Sequence, residues 1–424
     1  MLNKNWSNEK VSSSPYYSLG IFLLLYIFLA LLIPKSGHPS DFNCWTDWTS
    51  AIFTKGIGSI YSHGTNYLPL YQYFLMLFGD IQGSASKIHS NINSIKYGNL
   101  LFDVVGVYFV FLFVNEKIKN TNTSILLSLF LLFNLAYLYN TMIWGQVDAI
   151  FTAFIFIAFY FSLQNKILLT ILFSLLSLNM KLQAIIFFPF IGLILLPSII
   201  RKFNLKSLVT WIFVPLVLQI IILLPFYLQG DLEKVFAVVT NSVGTFPKVS
   251  LNAYNIWYWL IDDQPMGVLD TNRYGGLSYY QWGFYSFIIV YTATLFPLLR
   301  NRILLLINKQ HENISLNKLL LIATLIPIVF FFFNTQMHER YSHPMLIFAG
   351  TYAILNKKYV VYILLSIAYF LNLELVLDYF NIENSNLFFL NPDFVAALFF
   401  AAILLLFYAL YRREPGTEVQ QNAN

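Results

Sequence analysis

The chain has 424 residues, a formal net charge of +5 and one cysteine, and 58% of it is hydrophobic against 11% charged. So little charge, with a mean hydropathy of +0.64, excludes an ordinary soluble domain, in which about a quarter of residues are charged. Cys44 alone excludes an intramolecular disulfide and a thiolate metal site. The basic excess comes with no basic helix or stacking platform of the kind that binds nucleic acid.

Apolar runs close to the roughly 20 residues a helix needs to cross hydrocarbon recur along the chain. Twelve are read, over residues 17–34, 97–115, 123–140, 148–164, 166–179, 183–199, 207–228, 282–299, 318–334, 343–355, 359–377 and 394–411. The fifth and tenth are short for a full crossing and either tilt little, borrow polar flanks or re-enter. The first ends in Ile33-Pro34-Lys35-Ser36 with no small-residue cleavage site, so it is read as a retained helix. The expected fold is an all-α polytopic integral membrane protein of about 12 transmembrane helices. It forms one transmembrane domain over 16–412, with cytoplasmic tails at 1–15 and 413–424 and long extracytoplasmic loops at about 35–96 and 229–281.

Orientation follows the bias of Lys and Arg. With the N-terminus inside, basic residues such as Lys117, Lys119, Lys166, Arg201, Lys202, Arg300, Arg302, Lys357 and Lys358 crowd the inner gaps. The outer gaps hold most of the acidic residues and the polar motifs, so the net charge reflects topology and contact with membrane lipids. No Gly-rich phosphate loop, H-E-x-x-H, G-x-S-x-G or repeat of fixed period is present, which argues against a nucleotide-driven pump.

The first outer loop opens with His38-Pro39-Ser40-Asp41 and carries Trp45, Trp48, Tyr61, Tyr67 and Tyr71 at spacings that suit helices lying at the interface. Its aromatic residues read individually as an interfacial belt. Ser40 or Asp41 serves either as a helix N-cap or, at the mouth of an apolar cavity, Asp41 serves as a general base. The second loop, Trp144-Gly145-Gln146-Val147-Asp148, is very short. Gly145 permits a sharp turn, Trp144 suits an interface, and Asp148 either balances a helix dipole or joins Gln146 in a site. Later outer gaps carry Lys181-Leu182-Gln183, Asn252-Ala253-Tyr254-Asn255-Ile256-Trp257 and His338-Glu339-Arg340-Tyr341. Basic residues on the face that usually lacks them point to a bound anion, or to ordinary pairs such as Glu339 with Arg340 or Asp41 with Lys181. Asp103 sits within the second span, where a charge costs about 2.5 to 3.5 kcal/mol, so it is expected to face protein or water.

Taken together, these motifs resemble the second-mannosyltransferase-like family of GPI biosynthesis and its bacterial relatives, within the GT-C glycosyltransferases. The likeness runs in order over about residues 37–344: Asp41 with Trp48, Gly56, Tyr61 and Tyr67-x-Pro69, then Trp144-Gly145-Gln146-x-Asp148, Lys181-x-Gln183, Asn255-x-Trp257 and His338-Glu339-Arg340. Two departures stand out. Asn66 replaces the Asp of a usual Asp-Tyr-Pro-Pro, and Leu182 replaces the Pro of Lys-Pro-Gln. Losing the carboxylate at 66 weakens any case for a metal held by paired carboxylates.

The resemblance implies a GT-C-like enzyme that moves a hexose, often mannose, from a polyprenyl-phosphate donor to a hydroxyl of a glycan or lipid-linked acceptor, outside the cytoplasm. It makes Asp41 the catalytic residue. Such chemistry needs a base for the acceptor proton and donors for the departing phosphate. Lys181, His338 and Arg340 are the candidates for the phosphate. Trp48, Tyr67, Gln146, Asp148, Gln183, Asn255, Trp257 and Glu339 are the candidates for sugar and acceptor. No cofactor or metal is required. A bacterial plasma membrane is expected, or the endoplasmic reticulum in a eukaryote. The alternatives are a flippase or transporter of lipid-linked saccharides, which would keep its polar groups near the midplane, and a polymerase or ligase with a lipid-diphosphate donor.

Overall fold

The computed structural model describes residues 15–242, 244–262, 264–308, 314–382 and 387–412. Apart from Pro15, the two expected tails lie outside the described residues. The helices are, in chain order, α1 Pro15–Leu31, α2 Pro39–Lys55, α3 Pro69–Gln82, α4 Ala85–Ser90, α5 Lys96–Ile118, α6 Thr121–Leu132, α7 Leu135–Leu138, α8 Asp148–Leu163 and α9 Ile167–Met180. They continue with α10 Phe188–Lys202, α11 Leu205–Leu228, α12 Leu232–Thr240, α13 Trp257–Leu260, α14 Tyr279–Asn308, α15 Leu316–Phe333, α16 Met345–Asn356, α17 Val360–Leu377 and α18 Pro392–Tyr411. The strands described are β1 Arg273–Tyr274 and β2 Leu277–Ser278, an antiparallel hairpin.

Local sequence sets many of the helix starts. Asn120, Asn134, Asn204, Ser315 and Asn391 accept backbone N–H groups as N-caps, and Pro39, Pro69 and Pro392 occupy first-turn positions where a missing N–H costs nothing. Between α6 and α7 the chain bends by 60°. The cap Asn134 sits at that bend and donates to Tyr362 Oη and Ser366 Oγ of α17, both at 2.7 Å.

Each of the twelve predicted apolar runs is helical. By length and composition, however, seven helices among the described residues are able to cross a membrane, or eight if the bent pair Thr121–Leu132 and Leu135–Trp144 is one span. Tyr16–Leu31, Asp148–Leu163, Ile167–Met180 and Met345–Asn356 are shorter apolar helices. The clearest sign of the solvent is α11, strongly apolar yet with only 6% of its most apolar stretch buried. A bare apolar surface of that extent is stable against lipid, not water. The chain is an all-α membrane protein.

Buried apolar side chains form two clusters. The larger fills the bundle between α5, α8, α15, α16 and α18. The smaller joins α2, α3 and the Ile57–His63 turn to α8, α9 and α11. Trp45, Trp48, Tyr61 and Tyr71 lie within this second cluster at 7% exposure or less, so they are core residues and not an interfacial belt. The first long loop is helical as expected, but it folds on a core of its own.

The polar gaps sort to two ends. At one end, Glu116 accepts from Tyr160 Oη and Gln164 Nε2, and Lys202 donates to the Asn165 carbonyl. At the other, segments 38–41, 144–148, 181–183, 251–252 and 337–341 touch one another.

Candidate active site

The site begins with a clamp. Gly37 (φ +148) and Gly145 (φ +90) take backbone conformations that L side chains rarely adopt, and a Cβ on either would meet the Phe42 ring at 2.5 to 2.6 Å. Phe42 is thus held between two glycines at the start of α2, and this fixes Asp41 in the first turn. His38, not Ser40 or Asp41, occupies the N-cap position; Ser40 Oγ instead contacts His38 Nδ1 at 2.8 Å.

Asp41 Oδ2 accepts from Trp144 Nε1 at 3.0 Å and from Gln146 Nε2 at 2.6 Å. Trp144 is 1% exposed, so it is a buried donor and not an interfacial residue. His38 stacks on its indole at 5.3 Å and lies 3.6 Å from Asp41 Oδ2. The Trp144 loop is pinned from α5: Asn99 Nδ2 donates to the carbonyls of Gly145 and Gln146, each at 3.1 Å, and Lys96 Nζ donates to the Pro34 carbonyl and Ser36 Oγ. The carboxylate of Asp41 keeps about a fifth of its surface open, at 22% exposure. Tyr67 reaches Gln146 Oε1 only at 3.5 Å, and its ring packs on Trp48 and Tyr71.

Behind Asp41 lies a buried ion cluster. Asp148, the first residue of α8, is fully buried and pairs with Lys181, while Arg340 Nε stands 3.6 Å from its other oxygen. Arg340 Nη1 donates to Glu339 Oε1 at 2.6 Å. Lys181 Nζ also lies over the Tyr341 ring at 4.4 Å, and Gln183 donates to the Tyr341 carbonyl. The two cations read as phosphate ligands therefore already have carboxylate partners. The expected Glu339–Arg340 pair is present, whereas Lys181 takes Asp148 in place of Asp41. His338 faces Glu339 at 3.7 Å, and its backbone bridges to Leu251 and Asn252.

Burial and charge act in opposite directions here. Burial alone would raise the Glu339 carboxyl, but Arg340 and His338 outweigh it and hold it at about 2. Burial pulls the Lys181 ammonium below its ordinary value despite Asp148. His343, behind the cluster and stacked on Tyr137 at 5.2 Å, is pushed by burial down to about 4 and is neutral. Two donor and acceptor groups in the cluster, Arg340 Nε and Gln183 Oε1, are buried without a hydrogen-bond partner.

Three sequence-based assignments change. Asn255 is fully buried, donates to the Phe331 carbonyl at 3.0 Å and accepts from Trp257 N–H; its role is to tie α13 to α15. Trp257, 4% exposed, donates to the Phe333 and Asn334 carbonyls and packs on Tyr279. Neither contacts Asp41 or the ion cluster in the bonds that fix it. Trp48 sits in the second core and packs on Tyr67. Asp103 faces protein as expected, beside the Tyr137 and Thr141 hydroxyls.

The sequence reading gave no role to His38 and Tyr341, although both stand in its motifs, and passed over Lys96 and Asn99. A signal for two of them existed: Lys96, Asn99 and Asp103 fall at i, i+3 and i+7, one polar stripe on an otherwise apolar helix, and all three are buried. Among the described residues, no group of three or more His, Cys, Asp and Glu side chains is placed to hold a metal ion. No family model matches the chain, and no curated protein matches it significantly.

Proposed function

We propose that the protein is a membrane glycosyltransferase of GT-C type, which transfers a hexose from a polyprenyl-phosphate donor to a hydroxyl acceptor. The observation that carries this reading is Asp41, about a fifth open and oriented by two donors to one oxygen, beside a buried cluster in which one arginine N–H makes no hydrogen bond. Oδ2 is fixed by Trp144 and Gln146, and Oδ1 receives the proton of the acceptor hydroxyl. The hydroxyl oxygen attacks the anomeric carbon as the bond from that carbon to the phosphate oxygen breaks, and the electron pair leaves with the polyprenyl phosphate. Arg340 and Lys181 stabilise the charge that grows there. A single displacement of this kind inverts the anomeric configuration.

In this reading all twelve apolar segments cross or enter the bilayer, the four shorter helices among them. The Lys- and Arg-rich end faces the cytoplasm and the Asp41 end faces outward, in a bacterial plasma membrane. Mannose is the sugar that the family likeness favours.

The test is a donor panel. Purified protein in nanodiscs is given polyprenyl-phosphate mannose, glucose or galactose with an alcohol acceptor, and released polyprenyl phosphate is measured. One donor should turn over, and Asp41→Asn should abolish release while the protein still inserts and melts as wild type does. Wild-type turnover by that variant, or no release from any donor, refutes the proposal.

A further inference from the structure

Away from Asp41, the loops before α14 line an open cleft of about 600 Å3, within the roughly 300–1,000 Å3 of small-molecule sites. Its floor is built rather than incidental. Asp270, 1% exposed, accepts at Oδ2 from Gln336 Nε2 at 2.6 Å and Thr335 Oγ1 at 3.1 Å. Gln336 also accepts from the Gly244 N–H at 2.8 Å and donates its own N–H to the Lys248 carbonyl. These bonds hold Gln336 at φ +61, a left-handed conformation uncommon outside glycine. On the far wall, Gln281 Oε1 accepts from Ser278 N–H at the foot of α14, next to the half-open ring of Tyr280.

The lining has a distinct chemistry. One carboxylate, Asp270, and one guanidinium, Arg273, balance in charge; two amides and the hydroxyls of Thr271, Ser278 and Tyr280 supply most of the rest. Amides and hydroxyls offer donors and acceptors together, which matches a ligand whose own groups do both. An anion would call for a surplus of cations. We infer that this cleft binds a neutral polyhydroxylated ligand, an oligosaccharide, with Tyr280 offering its ring to a sugar face.

The cleft also shares a segment with the candidate active site. Gln336 precedes His338 by two residues, and the Leu251 N–H donates to the Met337 carbonyl at 2.9 Å, so the floor of the cleft runs directly into the bridged residue His338 and the turn that carries Glu339 and Arg340. If transfer occurs at Asp41, the cleft is where the acceptor glycan is held. That role rests on the transfer reading, whereas saccharide binding does not.

The experiment is saturation-transfer NMR on the full chain in nanodiscs with mannotriose, cellotriose and N-acetylchitotriose, and inorganic phosphate as competitor. At least one trisaccharide should bind, phosphate should not displace it, and Tyr280→Ala or Gln281→Ala should weaken it about tenfold, the scale of one lost buried contact. Gln281→Glu keeps an acceptor for Ser278 N–H and so separates lost binding from lost folding; it should fold as wild type does and bind more weakly. Asp41→Asn should bind the trisaccharide as wild type does. Failure of all three sugars to bind, displacement by phosphate, or equal binding by the Tyr280 and Gln281 variants overturns the cleft. Binding without transfer from any donor leaves the cleft standing and removes only the enzyme reading.

Discussion

The pair formed by Asp148 and Lys181 is the most demanding feature of the site. Asp148 has no exposed side-chain surface and Lys181 has 13%, so neither charge recovers its hydration when the other is removed. Breaking a buried pair by deleting one partner costs about 3–5 kcal/mol, while replacing both by apolar groups is often neutral or stabilising. Two features of this site temper the cost. Arg340 stays near Asp148 when Lys181 is lost, and the Glu339 carboxylate still acts on Lys181 when Asp148 is lost. Both single variants, Asp148→Asn and Lys181→Met, are therefore expected at the lower end, about 3 kcal/mol.

The double variant should cost far less than the sum, with a coupling of about 2–3 kcal/mol. The assay is unfolding by sodium dodecyl sulfate in mixed micelles, followed by tryptophan fluorescence, across the four members of the cycle. A coupling under about 0.5 kcal/mol, the scatter expected of independent sites, would show that the two charges do not depend on each other and that the cluster is not a unit.

Two further perturbations probe the surroundings. Gly145→Ala forces a side chain into a left-handed turn, worth about 1–2 kcal/mol, and against the Phe42 ring; it should destabilise the protein by at least that amount and lower turnover by shifting α2, and a wild-type melting curve with wild-type turnover would contradict the clamp. His343 is neutral when folded, with its pKa moved from 6.5 to about 4, so the unfolded chain binds the extra proton below pH 6.5. Its contribution is fully present above pH 6.5 and is lost as pH falls toward 4, roughly 3 kcal/mol at 1.36 kcal/mol per unit. Unfolding free energies measured from pH 7 to 4 should fall less steeply in His343→Phe than in wild type, and parallel profiles would refute the assignment.

What the sequence disclosed followed from position. Asp41, Gln146, Asp148, Lys181 and Arg340 are polar residues at the ends of apolar runs, and alternation of those gaps already placed them at one end of the bundle. Their pairing was not legible, because Asp148 and Lys181 come from α8 and the gap after α9, and only helix packing decides whether a lysine meets Asp41 or Asp148. The aromatic residues of the first loop misled for a related reason. Trp45 and Tyr71 have the composition of an interfacial belt, but a helical loop of some 60 residues is long enough to bury a core of its own, as domains of that size do. Asn255 and Trp257 lie in an outer gap with the right residue types, yet their donors are consumed by backbone carbonyls at the end of α15, which no spacing reveals.

The charge balance of the cluster bears directly on how a phosphate would be received. Asp41, Asp148 and Glu339 face Lys181 and Arg340, so these five side chains carry one excess negative formal charge, and on the proposed reading an incoming phosphodiester adds another. Electrostatics alone would repel it. What favours entry is directional: Arg340 keeps Nη1 on Glu339, while its Nε, 3.6 Å from Asp148 Oδ2, makes no hydrogen bond, and a buried donor without a hydrogen bond costs about 1–3 kcal/mol. A phosphate oxygen at that N–H would relieve the penalty without breaking the Glu339 pair, and guanidinium geometry suits such shared use. The carboxylates then act as holders. They hold Lys181 and Arg340 aimed in a largely buried site, where, on the proposed transfer, a fixed donor is worth more to a leaving group than a mobile one.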